Sequence, residues 1–136
     1  MTALLDTGLL LAVLDSDDDL HAVSALALEE ELEPILPDVV LPELSYLVQR
    51  ELDTSVLVRF LRAISGGELT IEQTRTADLS RAADILEKYA DSGVDFVDCV
   101  IVAMAERLNI TRILTVDRRH FSLFRPNHCS AFEIAP

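Results

Sequence analysis

The feature that most narrows the fold of this chain is an alternation. Short apolar runs recur along it, and stretches of helical length and period separate them. Residues 3–5, 35–36, 69–71, 113–116 and 131–134 read as strands; Pro34 and Pro37 bracket the second, and Asp6 closes the first. Helices are expected over 8–14, after the acidic turn at 20–32, around Leu44, Leu47 and Val48 with Pro42 in the first turn, and at 56–64 up to Gly66-Gly67. Two more follow, at 76–89 with Leu79, Ala82, Ala83 and Leu86 on one face, and at 94–108. A polar turn, 117–120, then leads toward the last strand. Strands that alternate with helices argue an α/β domain with a central, mostly parallel sheet flanked by helices.

At 136 residues the chain suits a single domain, 1–136, with no internal repeat. Its apolar runs fall short of the ~20 residues of a membrane span, and no basic segment precedes Asp6. The expected location is the cytoplasm. Cys99 and Cys129 match no zinc or redox spacing and read as free, partly buried thiols; His21, His120 and His128 form no recognisable ligand spacing. The net charge of −13 is unlike that of most nucleic-acid binders, which carry basic surfaces. Either the acids form a solubilising surface, or some are gathered to hold cations that meet phosphate.

Their positions bear on that choice. Ligand sites in parallel α/β sheets form at the carboxyl ends of strands, where Asp6 and Asp117 both fall. Glu43 lies in a first helical turn. Asp98 falls within the inward stripe Val94, Val97, Ile101, Met104, Ala105 and Leu108, where an unpaired carboxylate costs several kcal/mol. Singly, Asp6 is as readily a helix cap, Glu43 a solvated partner of the helix dipole, and Asp117 a turn former. Asp98 alone calls for a partner such as a cation.

The segments 4–7, 41–44, 94–105 and 114–121 together resemble the PIN-domain family, and within it the VapC-type toxins. The resemblance spans nearly the whole chain in order and spacing. It implies a PIN-like three-layer fold and an endoribonuclease that holds one or two Mg²⁺ or Mn²⁺ ions between Asp6, Glu43, Asp98 and Asp117. Asp95 is an extra acid nearby, joining through water or capping its helix, and Thr7 and Thr115 would support the acids. Oxygen-only ligands suit such hard cations. The implied reaction is in-line attack of water on a phosphodiester, leaving a 5′-phosphate and a 3′-hydroxyl, with Arg118, Arg119 and Arg112 as candidate contacts to RNA phosphate. The implied role is the toxin of a type II toxin–antitoxin pair, a homodimer whose small antitoxin lays its C-terminal segment over the acidic site. The helices over 44–52 and 56–64 are apolar enough to serve such surfaces, or to be plain core.

Competing signals are weaker. Asp6-Thr7-Gly8 imitates an aspartic protease, but those enzymes are nearly all β and pair two such aspartates. Asp15-x-Asp17-x-Asp19 imitates a calcium loop, yet Leu20 stands where glycine is required and Leu26 where glutamate is. A DxD phosphatase would need an acid at Gly8. A receiver domain would need a late lysine, and the sole lysine is Lys88. The rival function is a PIN-like or receiver-like module that binds without cleaving.

Overall fold

The computed structural model describes residues 2–136. Five strands, β1 (Thr2–Leu5), β2 (Glu33–Pro37), β3 (Thr70–Glu72), β4 (Arg112–Leu114) and β5 (Glu133–Ala135), form one sheet in the order β3-β2-β1-β4-β5. Every pairing is parallel, with Leu4 opposite Ile35 on one side and Ile113 on the other. Seven α-helices flank it: α1 (Thr7–Leu14), α2 (His21–Glu30), α3 (Val40–Glu51), α4 (Thr54–Ser65), α5 (Thr76–Lys88), α6 (Phe96–Leu108) and α7 (Arg118–Leu123). The expected three-layer α/β architecture is the one observed. None of the helices is long and apolar enough to cross a membrane among the described residues.

β1 is the central strand, and its Ala3, Leu4 and Leu5 are fully buried, as a strand covered on both faces requires. α1 packs on α2 and α3, α3 on α4, and α5 on α6. α6 carries the deepest helical burial: every residue from Asp98 to Ala105 is buried, so this helix is enclosed nearly all round rather than along one stripe. Val94 and Val97, expected at the head of that stripe, are only partly covered. Asn109, in the left-handed region at φ 55°, ends α6, a conformation asparagine tolerates better than most residues.

Three local expectations are corrected. Residues 117–120 are not simply a turn: Asp117 caps α7, its Oδ1 accepting from the His120 amide at 3.1 Å. The buried face of α5 is Asp78, Ala82 and Ile85, while Leu79 and Ala83 are exposed. The inward Asp78 is paired with Arg107 of α6, whose Nη2 lies 2.9 Å from its Oδ2 and whose Nη1 also reaches Glu72 of β3. β4 and β5 are shifted by one or two residues from the expected spans, which leaves Thr115 and Val116 beyond the sheet edge.

The α3 and α4 helices are part core and part surface. Leu44, Val48, Leu57 and Phe60 are buried, whereas Tyr46, Val58 and Leu61 are exposed. Cys99 is buried and Cys129 half-buried, both free; burial pushes the Cys99 thiol up to about 12, so it stays protonated.

Candidate active site

β1 and β4 end side by side, and the chain places an acid just past each end. The Asp6 amide donates to the Leu114 carbonyl at 3.0 Å, extending the ladder one residue beyond β1. Asp6 then caps α1, its Oδ1 accepting from the Thr7 amide at 2.8 Å, and its Oδ2 accepts from the Thr115 hydroxyl at 2.8 Å. The same Thr115 oxygen accepts from the Asp117 amide at 2.9 Å. One threonine therefore links the two strand-end acids. Gly8 makes this close approach possible: a Cβ there would stand 3.0 Å from Val116 Cγ2.

α6 supplies the third acid from its first turn. Asp95 and Asp98 form a capping box, in which the Asp98 amide donates to Asp95 Oδ1 at 2.9 Å and the Asp95 amide to Asp98 Oδ2 at 3.4 Å. Asp98 is buried and Asp95 exposed. Glu43 comes from the first turn of α3 and is exposed.

All five acids line one cleft of about 250 Å³, together with Thr7, Gly8, Leu47 and His120. The structure thus brings Asp6, Glu43, Asp98 and Asp117 together, with Asp95 both capping its helix and lining the cleft. His120 was legible only as part of a motif, not as a site residue. Its place follows from the turn that became a helix: three residues after Asp117, its ring folds back over that cap, with Nδ1 2.9 Å from Asp117 Oδ2 and 3.1 Å from Asp98 Oδ2. Oxygens of Asp98 and Asp117 and this nitrogen lie within 4.8 Å of one another, a spacing able to hold one ion.

The cleft has no lysine or arginine in its lining. Arg118 and Arg119 are exposed on the first turn of α7 outside it, and Arg118 donates to the carbonyl of Pro136. Arg112 is a correction. It opens β4 at the opposite end of the sheet and is held by Glu31 at 2.9 Å and Glu133 at 2.6 Å, so it is a structural cation remote from the acids.

Without a counter-charge the acids are electrostatically uneasy. Burial pushes Asp6 up to about 6; hydrogen bonds from Thr115 and Thr7 oppose the shift, and the charges of Asp117 and Glu43 add to it. Asp98 is likewise held well above the ordinary carboxylate range, first by burial and then by the charges of Asp95 and Asp6. Thr7 adds a buried hydroxyl with no protein partner. Hard carboxylate donors, an unneutralised charge and a spare hydroxyl on one cleft fit a divalent cation of the Mg²⁺ or Mn²⁺ type.

The PIN-domain family model matches residues 3–125 of the chain. This chain belongs to the PIN-domain family. Within it the chain is of the VapC type: it is 31% identical over 134 residues to ribonuclease VapC26 of Mycobacterium tuberculosis, across 98% of this chain and 99% of that protein. Solved structures agree on the fold. VapC20 of M. tuberculosis, a toxin that cleaves the sarcin-ricin loop, superposes with a TM-score of 0.75 at 18% identity, over 83% of this chain and 87% of that one. VapBC2 of Rickettsia felis, solved on a fragment of its promoter DNA, gives 0.72 at 16% identity over the full length of both chains. As a PIN-domain protein of the VapC type, the chain carries a nuclease fold with its acids at the strand ends.

Proposed function

We propose that this protein is a Mg²⁺- or Mn²⁺-dependent endoribonuclease and the toxin of a type II toxin–antitoxin pair. The observation that carries the reading is the convergence of Asp6, Glu43, Asp98 and Asp117, from four separate elements, on one cleft lacking any lysine or arginine in its lining. Two of these acids are buried, and burial raises both carboxyls above their ordinary range despite the hydrogen bonds they accept. The name of the ribonuclease relative and the toxin assemblies among the structural neighbours support both the activity and an antitoxin partner.

Asp6, Asp98, Asp117 and Glu43 would hold the cation. It would supply the Lewis acidity that offsets phosphoryl charge and eases ionisation of the attacking water. The residues do the rest. Thr115 fixes the Asp6 carboxylate with its hydroxyl and the Asp117 backbone with its oxygen, so neither acid rotates away. Asp95 locks the start of α6, which sets where Asp98 emerges. Arg118 and Arg119, exposed on the first turn of α7 next to His120 in the chain, would meet RNA phosphate. In-line attack by water would leave a 5′-phosphate and a 3′-hydroxyl. Homodimerisation and antitoxin binding would use apolar surface such as Val58 and Leu61.

The test is cleavage of a structured RNA by purified protein with Mn²⁺, with Mg²⁺ and with EDTA, followed by end-labelling of the products. Cleavage in either metal, none in EDTA, and 5′-phosphate ends are expected. Cleavage that persists in EDTA, or 2′,3′-cyclic ends, would contradict the reading.

A further inference from the structure

We propose that His120 is a positioning residue of the acidic site: its ring holds Asp98 and its backbone amide holds Asp117, at the separation that a cation requires. The inference rests on the proposed cation site and adds to it a residue outside the four acids. Asp98 is on α6 and Asp117 caps α7, and no backbone ladder joins these two helices. His120 bridges them. His120 Nδ1 hydrogen-bonds Asp98 Oδ2 at 3.1 Å and lies 2.9 Å from Asp117 Oδ2, and this carboxylate surrounding favours the tautomer with the proton on that nitrogen. The His120 amide meanwhile donates to Asp117 Oδ1 at 3.1 Å. A single residue thus hydrogen-bonds one oxygen of each acid, with its ring lying against the second oxygen of Asp117.

Each engaged oxygen has a second lone pair for a cation, and Asp98 Oδ1 is left for that purpose. Asp6 is arranged alike, with one hydrogen bond to each oxygen from Thr7 and Thr115. Orienting donors behind ligating carboxylates typically set affinity by about 10- to 100-fold. The imidazole ring is mostly covered, so a residue of similar bulk fills its space.

The discriminating variants are His120→Leu, His120→Asn and His120→Gln. The Asn amide nitrogen is as many bonds from Cα as imidazole Nδ1, so it can donate from the same place; the Gln amide nitrogen is one bond farther. Melting curves in EDTA first establish that each variant folds. Mn²⁺ affinity is then measured by calorimetry, and kcat and KM for RNA are measured separately. His120→Leu and His120→Gln are expected to bind Mn²⁺ about 10- to 100-fold more weakly than wild type. His120→Asn should stay within a few-fold. KM for RNA should change little in all three.

Equal Mn²⁺ affinity in wild type and His120→Leu would overturn the proposal while leaving the cation site intact. Failure of His120→Asn to rescue, with affinity for Mn²⁺ lost far more than for Mg²⁺, would make His120 a ligand and also overturn it. Wild type that binds no divalent cation would instead remove the site itself.

Discussion

Asp6 and Asp98 sit in their cleft at an electrostatic cost that should be visible without any RNA. Their folded pKa values lie above the ordinary carboxylate value, Asp6 at about 6 and Asp98 in the same direction. A raised folded pKa favours the fold at low pH and costs stability as pH climbs through the folded value. For Asp6 alone the loss amounts to about 3 kcal/mol between the unfolded value near 4 and neutrality. Asp78 acts oppositely: Arg107 holds it below its ordinary value despite its burial, so its contribution is lost as pH falls below about 4. Metal-free protein should therefore melt at a lower temperature at pH 8 than at pH 5, and saturating Mn²⁺ should remove most of that difference. Asp98→Asn keeps an acceptor for the capping box but sheds the charge. It should melt about 3 °C above metal-free wild type at pH 8 while losing cleavage and most of the Mn²⁺ response. A variant that melts several degrees lower would make Asp98 a structural acid. Asp98 was legible from its place in an apolar stripe, whereas Asp6, Glu43 and Asp117 read singly as cap, solvated acid and turn former and joined it through the resemblance of the segments around them to the PIN family. His120 was not legible, because its role depends on a helical turn after Asp117 that the polar run 117–120 disguised.

At the scale of elements, the alternation of apolar runs with helical segments was enough, apart from α7, to set the order of strands and helices, but not which strand lies at the centre of the sheet. Helix faces were less legible. The period of α5 pointed to Leu79, Ala82, Ala83 and Leu86, yet Leu79 and Ala83 are exposed and Asp78 lies inward, paired with Arg107. This cluster joins α5, α6 and β3 through one arginine. Arg107→Met would leave Asp78 buried with its charge unpaired, so a loss of roughly 3 kcal/mol is expected in a denaturant melt. Asp78→Asn in the same background should recover part of it. If Arg107→Met unfolds at the wild-type midpoint, the cluster contributes no stability.

Across the whole molecule the charge of −13 sets the terms of RNA binding. No lysine or arginine lines the cleft, and Arg118 and Arg119, next to His120 in the chain, are exposed. Binding should then depend on the divalent cation and on Arg119 rather than on a basic surface. Arg119→Ala is expected to raise KM for RNA severalfold with kcat little changed, and the salt dependence of KM should be shallow because few phosphates are neutralised. A steep salt dependence would mean a larger phosphate contact than the cleft and its rim provide. The central claim is that the acidic cleft itself cleaves RNA with a divalent cation. It is tested most directly by comparing wild type with Asp6→Asn, purified in parallel, for Mn²⁺-dependent cleavage of one RNA. Asp6 is the acid tied to both strand ends, and its replacement by asparagine keeps its shape and its Thr7 and Thr115 neighbours. The account predicts a rate lower by about a thousandfold or more in Asp6→Asn with folding intact; equal rates in the two proteins would contradict it.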